Sequence, residues 1–242
     1  MFIFASGIAV IIASALPSIK SIEPILQGIG GSLVATGVAG IALFLYVKET
    51  EDIRQRLQLI SDAGLQRVFP VRSVQIKGEY DERLLDAKEI DILGFGMASL
   101  REDYGDEFPA WSHRARVRIL LLDPSFPTNK QSYADQRDIE EHNQPGKIRN
   151  DVALFLKFVA EKRGIDRSRF EVRLLRCLPS VNIFRAGDNL FWGPYLLGAP
   201  SRNTPTLLVG SGFLQRRLRE HFDDLWRSGE FSCPAFPLPP IK

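Results

Sequence analysis

The chain has 242 residues, 45% hydrophobic and 25% charged, with a formal net charge of +2. That balance excludes a disordered chain and leaves room for one sizeable domain plus an appendage. It also gives no nucleic-acid signal from bulk charge, although the arginines can still gather on one face. Cys177 and Cys233 lie far apart without metal-ligand spacing, so they predict reduced structural thiols, with no metal site, disulfide framework or cofactor.

The N-terminus carries the sharpest asymmetry. Met1 to Ile19 has no charge, and Ile25 to Val47 has only Gln27 as a strongly polar member. Each stretch is long enough for a bilayer core of about 30 Å, and the short "KSIEP" between them predicts a two-helix transmembrane hairpin over residues 1–48. Small residues recur every four positions: Ala5, Ala9 and Ala13 on the first helix, Gly28, Ser32, Thr36 and Gly40 on the second. That spacing puts each set on one helix face, where backbones can approach closely within the hairpin or between copies. "ASA" at 13–15 resembles a signal-peptide cleavage site, but no positive n-region precedes it. Lys48, Arg54 and Arg56 favour a cytoplasmic domain after the second helix, with Lys20 in the opposite loop pulling the other way. The expected setting is a bacterial inner membrane, with the lipid bilayer as the first partner.

"KETEDIRQRLQLISDAG" places Ile53, Leu57 and Ile60 on a helical stripe and predicts a juxtamembrane helix over 49–63 that stops at Gly64. A soluble domain over 64–230 follows. Its predicted elements are a helix over 79–88, buried strands over 89–97 and 115–123, a helix over 147–163 and a strand over 170–175. Strands alternating with helices predict an α/β fold with a mixed, largely parallel sheet flanked by helices. Residues 180–197 then read as two strands joined by a hairpin turn at "AGDN", and "TPTLLVG" as a further strand. The last predicted helix takes Ser211 as its N-cap and turns Phe213, Leu214, Leu218, Phe222 and Leu225 inward. Residues 231–242 form a Pro-rich tail expected to lack regular structure.

"GLQRVFPVR", "AKEIDILGFGM", "ARVRILLLDP", "NIFRAGDNLFWGPYL", "TPTLLVG" and "HFDDLW" together resemble the phospholipase D-like superfamily. The resemblance implies a mixed-sheet α/β fold and dimerisation through the soluble domain. It also implies, in active members, a His-x-Lys motif with a following Asp, the His being a phosphoryl-accepting nucleophile. None of His113, His142 and His221 begins that motif. Val181 and Ile183 stand at the His and Lys positions when Asp188 is set as the Asp; Phe184 stands at the Lys position when Asn182 is set as the His. Neither Val nor Asn replaces imidazole as a nucleophile, so diester hydrolysis is not expected.

The candidate ligand-binding residues are then Arg185 and Asp188, with Asn182, Asp123, Trp192, Tyr195, Arg67 and Arg72. Arg185 can offer a planar fork to phosphate, or close a salt bridge with Asp188 around the turn. Strand alternation puts Asn182 and Phe184 on one face and Ile183 and Arg185 on the other. Trp192 and Tyr195 can stack on a base or pack. Asp123 ends a predicted central strand, where α/β sheets bind ligands, but also suits a turn before Pro124. "GFGMAS" partly mimics a phosphate loop, and "REDYGDEF" is an acidic stretch without converging metal ligands. The leading expectation is a membrane-anchored, non-catalytic sensor or effector of bacterial defence. It would bind a nucleotide or other phosphate-bearing ligand, or a protein, and form homo-oligomers that act on the membrane. The rivals are a membrane-tethered phosphodiesterase, phospholipase or nuclease using His113 with Asp123, and a structural anchor for a partner protein.

Overall fold

The computed structural model describes residues 2–16, 21–71 and 74–236, and divides into two units, Met1–Leu59 and Ile60–Lys242. The first unit begins with α1 (Phe2–Ser14) and runs along α2 (Glu23–Ala63), whose last residues belong to the second unit. α2 is 41 residues long without a break. The second predicted span and the juxtamembrane helix are therefore one rod, since nothing between Val47 and Ala63 interrupts helical hydrogen bonding. Its apolar part reaches a mean hydropathy of 1.9 over 18 residues, and by length and composition it is the one described helix able to cross a membrane. α1 corrects the expected double crossing: at 13 residues it is about 20 Å long, short of a bilayer core of about 30 Å.

The predicted small-residue stripes are not what joins the two helices. α1 packs on α2 through Gly7, Gly30 and Gly37, where an added Cβ would come within 2.7 Å of Val34 N, 2.5 Å of Ile11 Cγ1 and 2.7 Å of Phe4 Cβ respectively. Ala5, Ala9, Ala13, Gly28, Ser32, Thr36 and Gly40 all remain exposed, and Gly28 and Gly40 face open space. A seven-residue glycine spacing keeps Gly30 and Gly37 on one face, whereas the four-residue series turns away from it.

The second unit is built on an eight-stranded sheet. In chain order its strands are β1 (Leu65–Phe69), β2 (Glu89–Gly94), β3 (Arg116–Leu122), β6 (Phe170–Leu175), β7 (Val181–Ala186), β8 (Asn189–Pro194), β9 (Thr206–Val209) and β10 (Ser232–Pro234). A separate two-stranded ribbon holds β4 (Pro127–Thr128) and β5 (Gln131–Ser132). The sheet order is β1-β9-β8-β7-β2-β3-β6-β10, and only β2/β3 and β3/β6 pair in parallel. The sheet is thus mostly antiparallel, correcting the largely parallel expectation. The βαβ rhythm covers three strands, and the hairpin over 181–194 hands the chain to an antiparallel run that ends at β1. β10 is a second correction: its Pro234 sits at a sheet edge, the position where a strand tolerates a missing N–H.

Helices α3 (Val74–Leu84), α4 (Ala98–Tyr104), α5 (Phe108–Arg114) and α7 (Lys147–Glu161) contribute Tyr80, Leu100, Trp111, Phe155 and Val159 to one buried layer over Ile90, Ile92, Val117, Ile119 and Phe184. α6 (Tyr133–Glu140) adds Ala134 to a smaller cluster with Phe95 and Leu122. The opposite face is covered by α8 (Phe213–Arg227), with Phe222, Leu225 and Trp226 over Leu93, Leu120, Ile183 and Leu190. Ile183 and Phe184 lie on opposite faces, as strand alternation requires. Phe213, expected inside, is half exposed, and the N-cap of α8 is Gly212 rather than Ser211. A Cβ on Gly212 would lie 2.4 Å from Gly64 N, so the chain crossing after α2 admits only glycine there. Gly64 itself has φ +77°, the left-handed conformation that ends α2 at the predicted stop.

Candidate functional site

Arg185 lies in the sheet directly opposite Asp91, and Asp91 directly opposite Arg118. All three side chains point to the α8 face and are nearly inaccessible. Arg185 donates to Asp91 and Glu89; Arg118 grips Asp91 through two hydrogen bonds of 2.7 and 2.9 Å and reaches Asp223 of α8 at 2.7 Å. The rings of Phe222 and Trp226 sit 4.9 and 5.5 Å from the Arg118 guanidinium. Burial pushes the Glu89 carboxyl up, but the charge and hydrogen bond of Arg185 outweigh it and hold Glu89 below its ordinary range. This row satisfies its own charges, and it ties β7, β2, β3 and α8 together. Arg185 is thereby held within the fold, and among the described residues no ion pair joins it to Asp188, which is exposed in the hairpin turn.

The other sequence candidates are dispersed. Asn182 is buried and donates to the Gly193 carbonyl at 3.0 Å. Trp192 packs at the rim of the α8-face cluster. The Tyr195 ring packs against Phe95 at a tilt of 49° with centroids 4.2 Å apart, and the buried Arg137 guanidinium lies 5.1 Å from both rings. Asp123 accepts from the Ser125 amide and hydroxyl at 2.9 and 2.7 Å, which is the turn-forming role. Arg67 pairs with Glu79 at 2.5 Å, and Arg72 lies outside the described residues. The glycines of "GFGMAS" serve close packing: a Cβ on Gly96 would meet Asp151 Cβ at 2.6 Å. In the acidic stretch, Asp106 pairs with Lys162. His113 precedes the amino end of β3 and Asp123 follows its carboxyl end. Seven strand residues hold the two roughly 20 Å apart, so they form no joint site.

The structure gathers a different set. A cavity of about 290 Å³ opens over the helical face of the sheet, floored by Ile92 and Phe184 and walled by Tyr80 and Tyr104. Lys77, Ser99, Asp103 and Arg202 supply its polar lining. An adjoining cavity of about 320 Å³ shares Lys77, Asp103 and Tyr104 and adds Glu107 and Arg114. Lys77 Nζ is 3.0 Å from Asp81 and 4.7 Å from the centre of the Tyr104 ring. The Tyr104 hydroxyl donates to Asp81 at 2.8 Å, and burial together with that carboxylate pushes its pKa well above the ordinary phenol value. Tyr104 therefore remains a neutral donor at physiological pH. Among the described residues neither Arg202 nor Asp103 has an ion-pair partner. Two cations, a carboxylate, a hydroxyl and aromatic walls around one cavity suit a small ligand with an anionic end and a neutral or cationic end. These residues come from α3, α4, β2, β7 and the turn Ser201–Asn203, without a shared motif, so sequence spacing gave no signal for them.

No family model matches the chain, and no curated protein matches it. Among solved structures, TrmBL2, an archaeal chromatin protein with a novel mode of DNA binding, is 11% identical, with 82% of this chain and 68% of that one aligned at a TM-score of 0.42. Phosphatidylserine synthase of Haemophilus influenzae Rd KW20 is 14% identical, with 69% of this chain and 38% of that one aligned at a TM-score of 0.38. The synthase is a member of the phospholipase D-like superfamily. At TM-scores below 0.5 neither likeness carries an activity to this chain.

Proposed function

We propose that this is a membrane-anchored binding protein: α2 holds the globular unit to a bilayer, and the cavity lined by Lys77 and Arg202 takes a phosphate-bearing ligand without hydrolysing it. The convergence of those two cations on one cavity carries the reading. Phe184, which stands at the lysine position of the resembled motif when Asn182 is set as the His, forms part of the cavity floor. An apolar ring there favours binding over phosphoryl transfer. Asp103 and Ser99, which also line the cavity, can accept hydrogen bonds from the hydroxyl or amino groups of a nucleoside, which supports this reading. If the ligand acts as a signal, it must bind the state that acts on the membrane more tightly than the resting one, because equal affinity shifts no equilibrium.

The test is thermal unfolding of the full chain in detergent with inorganic phosphate and with nucleoside phosphates. A ligand at a hundred times its dissociation constant stabilises the native state by about 2.7 kcal/mol. Lys77→Ala and Arg202→Ala are each expected to weaken binding by about tenfold, or about 1.4 kcal/mol. Product release from phosphodiester substrates, or a stabilisation unchanged by both substitutions, contradicts the reading.

A further inference from the structure

Beyond Val47, α2 leaves the apolar window but continues as an exposed helix to Ala63. In this stretch Ile53, Leu57 and Ile60 are 52, 60 and 46% exposed. Their spacing of four and then three is that of alternating d, a and d positions in a heptad, with Leu59 the remaining large apolar side chain outside the stripe. Traced backwards in the same phase, the stripe passes Thr50, Tyr46, Leu43, Ala39, Thr36, Ser32 and Ile29, so one seam runs through both parts of the helix. At about 100° per residue, this seam is centred about a third of a turn round α2 from Gly30 and Gly37, the face that α1 covers. Thr36 and Ser32, which do not contact α1 through the glycine face, fall within it.

The flanking charges identify the occupant. Glu49 falls at a g position and Arg54 at the e position of the next heptad, the two sites that meet across a parallel pair of identical helices. Among the described residues neither has an ion-pair partner within its own chain, although each lies near an opposite charge on the same helix. We infer that the exposed seam of α2 packs against the same seam of a second copy of this chain. Ile53, Leu57 and Ile60 interdigitate in a parallel coiled coil, with Glu49 of each copy facing Arg54 of the other. A water-exposed coiled coil this short is marginal alone, but two helices held in one membrane plane meet at a high effective concentration. The parallel orientation rests on the reading of α2 as a membrane helix; the seam and its charges do not depend on the cavity.

Single cysteines introduced into the full chain with Cys177→Ser and Cys233→Ser, followed by mild oxidation in membrane vesicles, test the inference. Leu57→Cys and Ile53→Cys are expected to crosslink as dimers several-fold more than Glu51→Cys and Gln55→Cys, which lie on the outer face. Glu49→Arg should lower crosslinking at Leu57→Cys, and adding Arg54→Glu should restore it, a rescue that loss of folding cannot mimic. Equal crosslinking at all four positions, a maximum at Glu51→Cys or Gln55→Cys, or no rescue by the charge swap overturns the inference. So does protection of Ile53→Cys and Leu57→Cys from labelling without crosslinking, which would place another surface on the seam. If the chain leaves the vesicles on washing, the membrane reading fails instead, and the two failures are distinguishable.

Discussion

Removing one partner from a buried ion pair strands the other charge in a region water cannot reach, a loss of about 3–5 kcal/mol in well-enclosed cases. Asp91 is such a group, because Arg185 and Arg118 approach it from the strands on either side. Asp91→Asn, which takes the shared partner from both buried arginines, is therefore expected to destabilise the globular unit by about 3 kcal/mol, and Asp91→Asn with Arg185→Met by less than the sum of the separate changes, as thermal unfolding will show. Additive losses would mean that the two side chains do not depend on each other. Acid tests a second pair. Arg149 grips the Asp135 carboxylate through bonds of 2.7 Å and, against the opposing effect of burial and with help from Ser132, holds it far below the usual carboxylate range. A depressed value means the contribution is complete above the unfolded carboxyl value of about 4 and fades as pH falls through the folded one. The stability gap between the wild type and Asp135→Asn, less than about 1 kcal/mol for so exposed a pair, should be constant above about pH 4 and narrow in acid. A gap that widens in acid contradicts the assignment.

Elements were legible in the sequence where their determinants are local. The hairpin over 181–194 follows from alternation around a Gly-Asp turn, and Gly64 ends α2 because the left-handed conformation favours glycine there. The partners of Arg185 were not legible: Asp91 is 94 positions away along the chain, and only the β2/β7 register makes them neighbours. α4 and α5, at seven residues each, are too short to display a helical period, and β10 is masked by its proline. The small-residue stripes misled for a different reason: regular spacing fixes a face but not the neighbour of that face. Gly37→Leu is expected to separate α1 from α2, because even a Cβ there would lie within 2.9 Å of the Phe4 backbone; Gly28→Leu should leave the pairing intact. Distance measurements between spin labels on α1 and α2 will distinguish these outcomes, and an unaltered distance in Gly37→Leu would refute the packing.

At the scale of the molecule, the chain combines an apolar rod with an α/β unit whose two faces do different work. The α8 face holds a self-satisfied row of charges, and the helical face of α3 and α4 carries the cavity. Sequence reading centred ligand recognition on Arg185 and Asp188, of which Arg185 lies in that row; the proposed function puts it across the sheet, at the cavity lined by Lys77 and Arg202. Equilibrium dialysis of a labelled nucleoside phosphate against the full chain in detergent tests this division most directly. Lys77→Ala should weaken binding by about tenfold while Arg185→Lys, which keeps the charge, leaves the affinity of the folded protein unchanged. Loss of binding in Arg185→Lys with full affinity in Lys77→Ala would return recognition to the charge row and contradict the account.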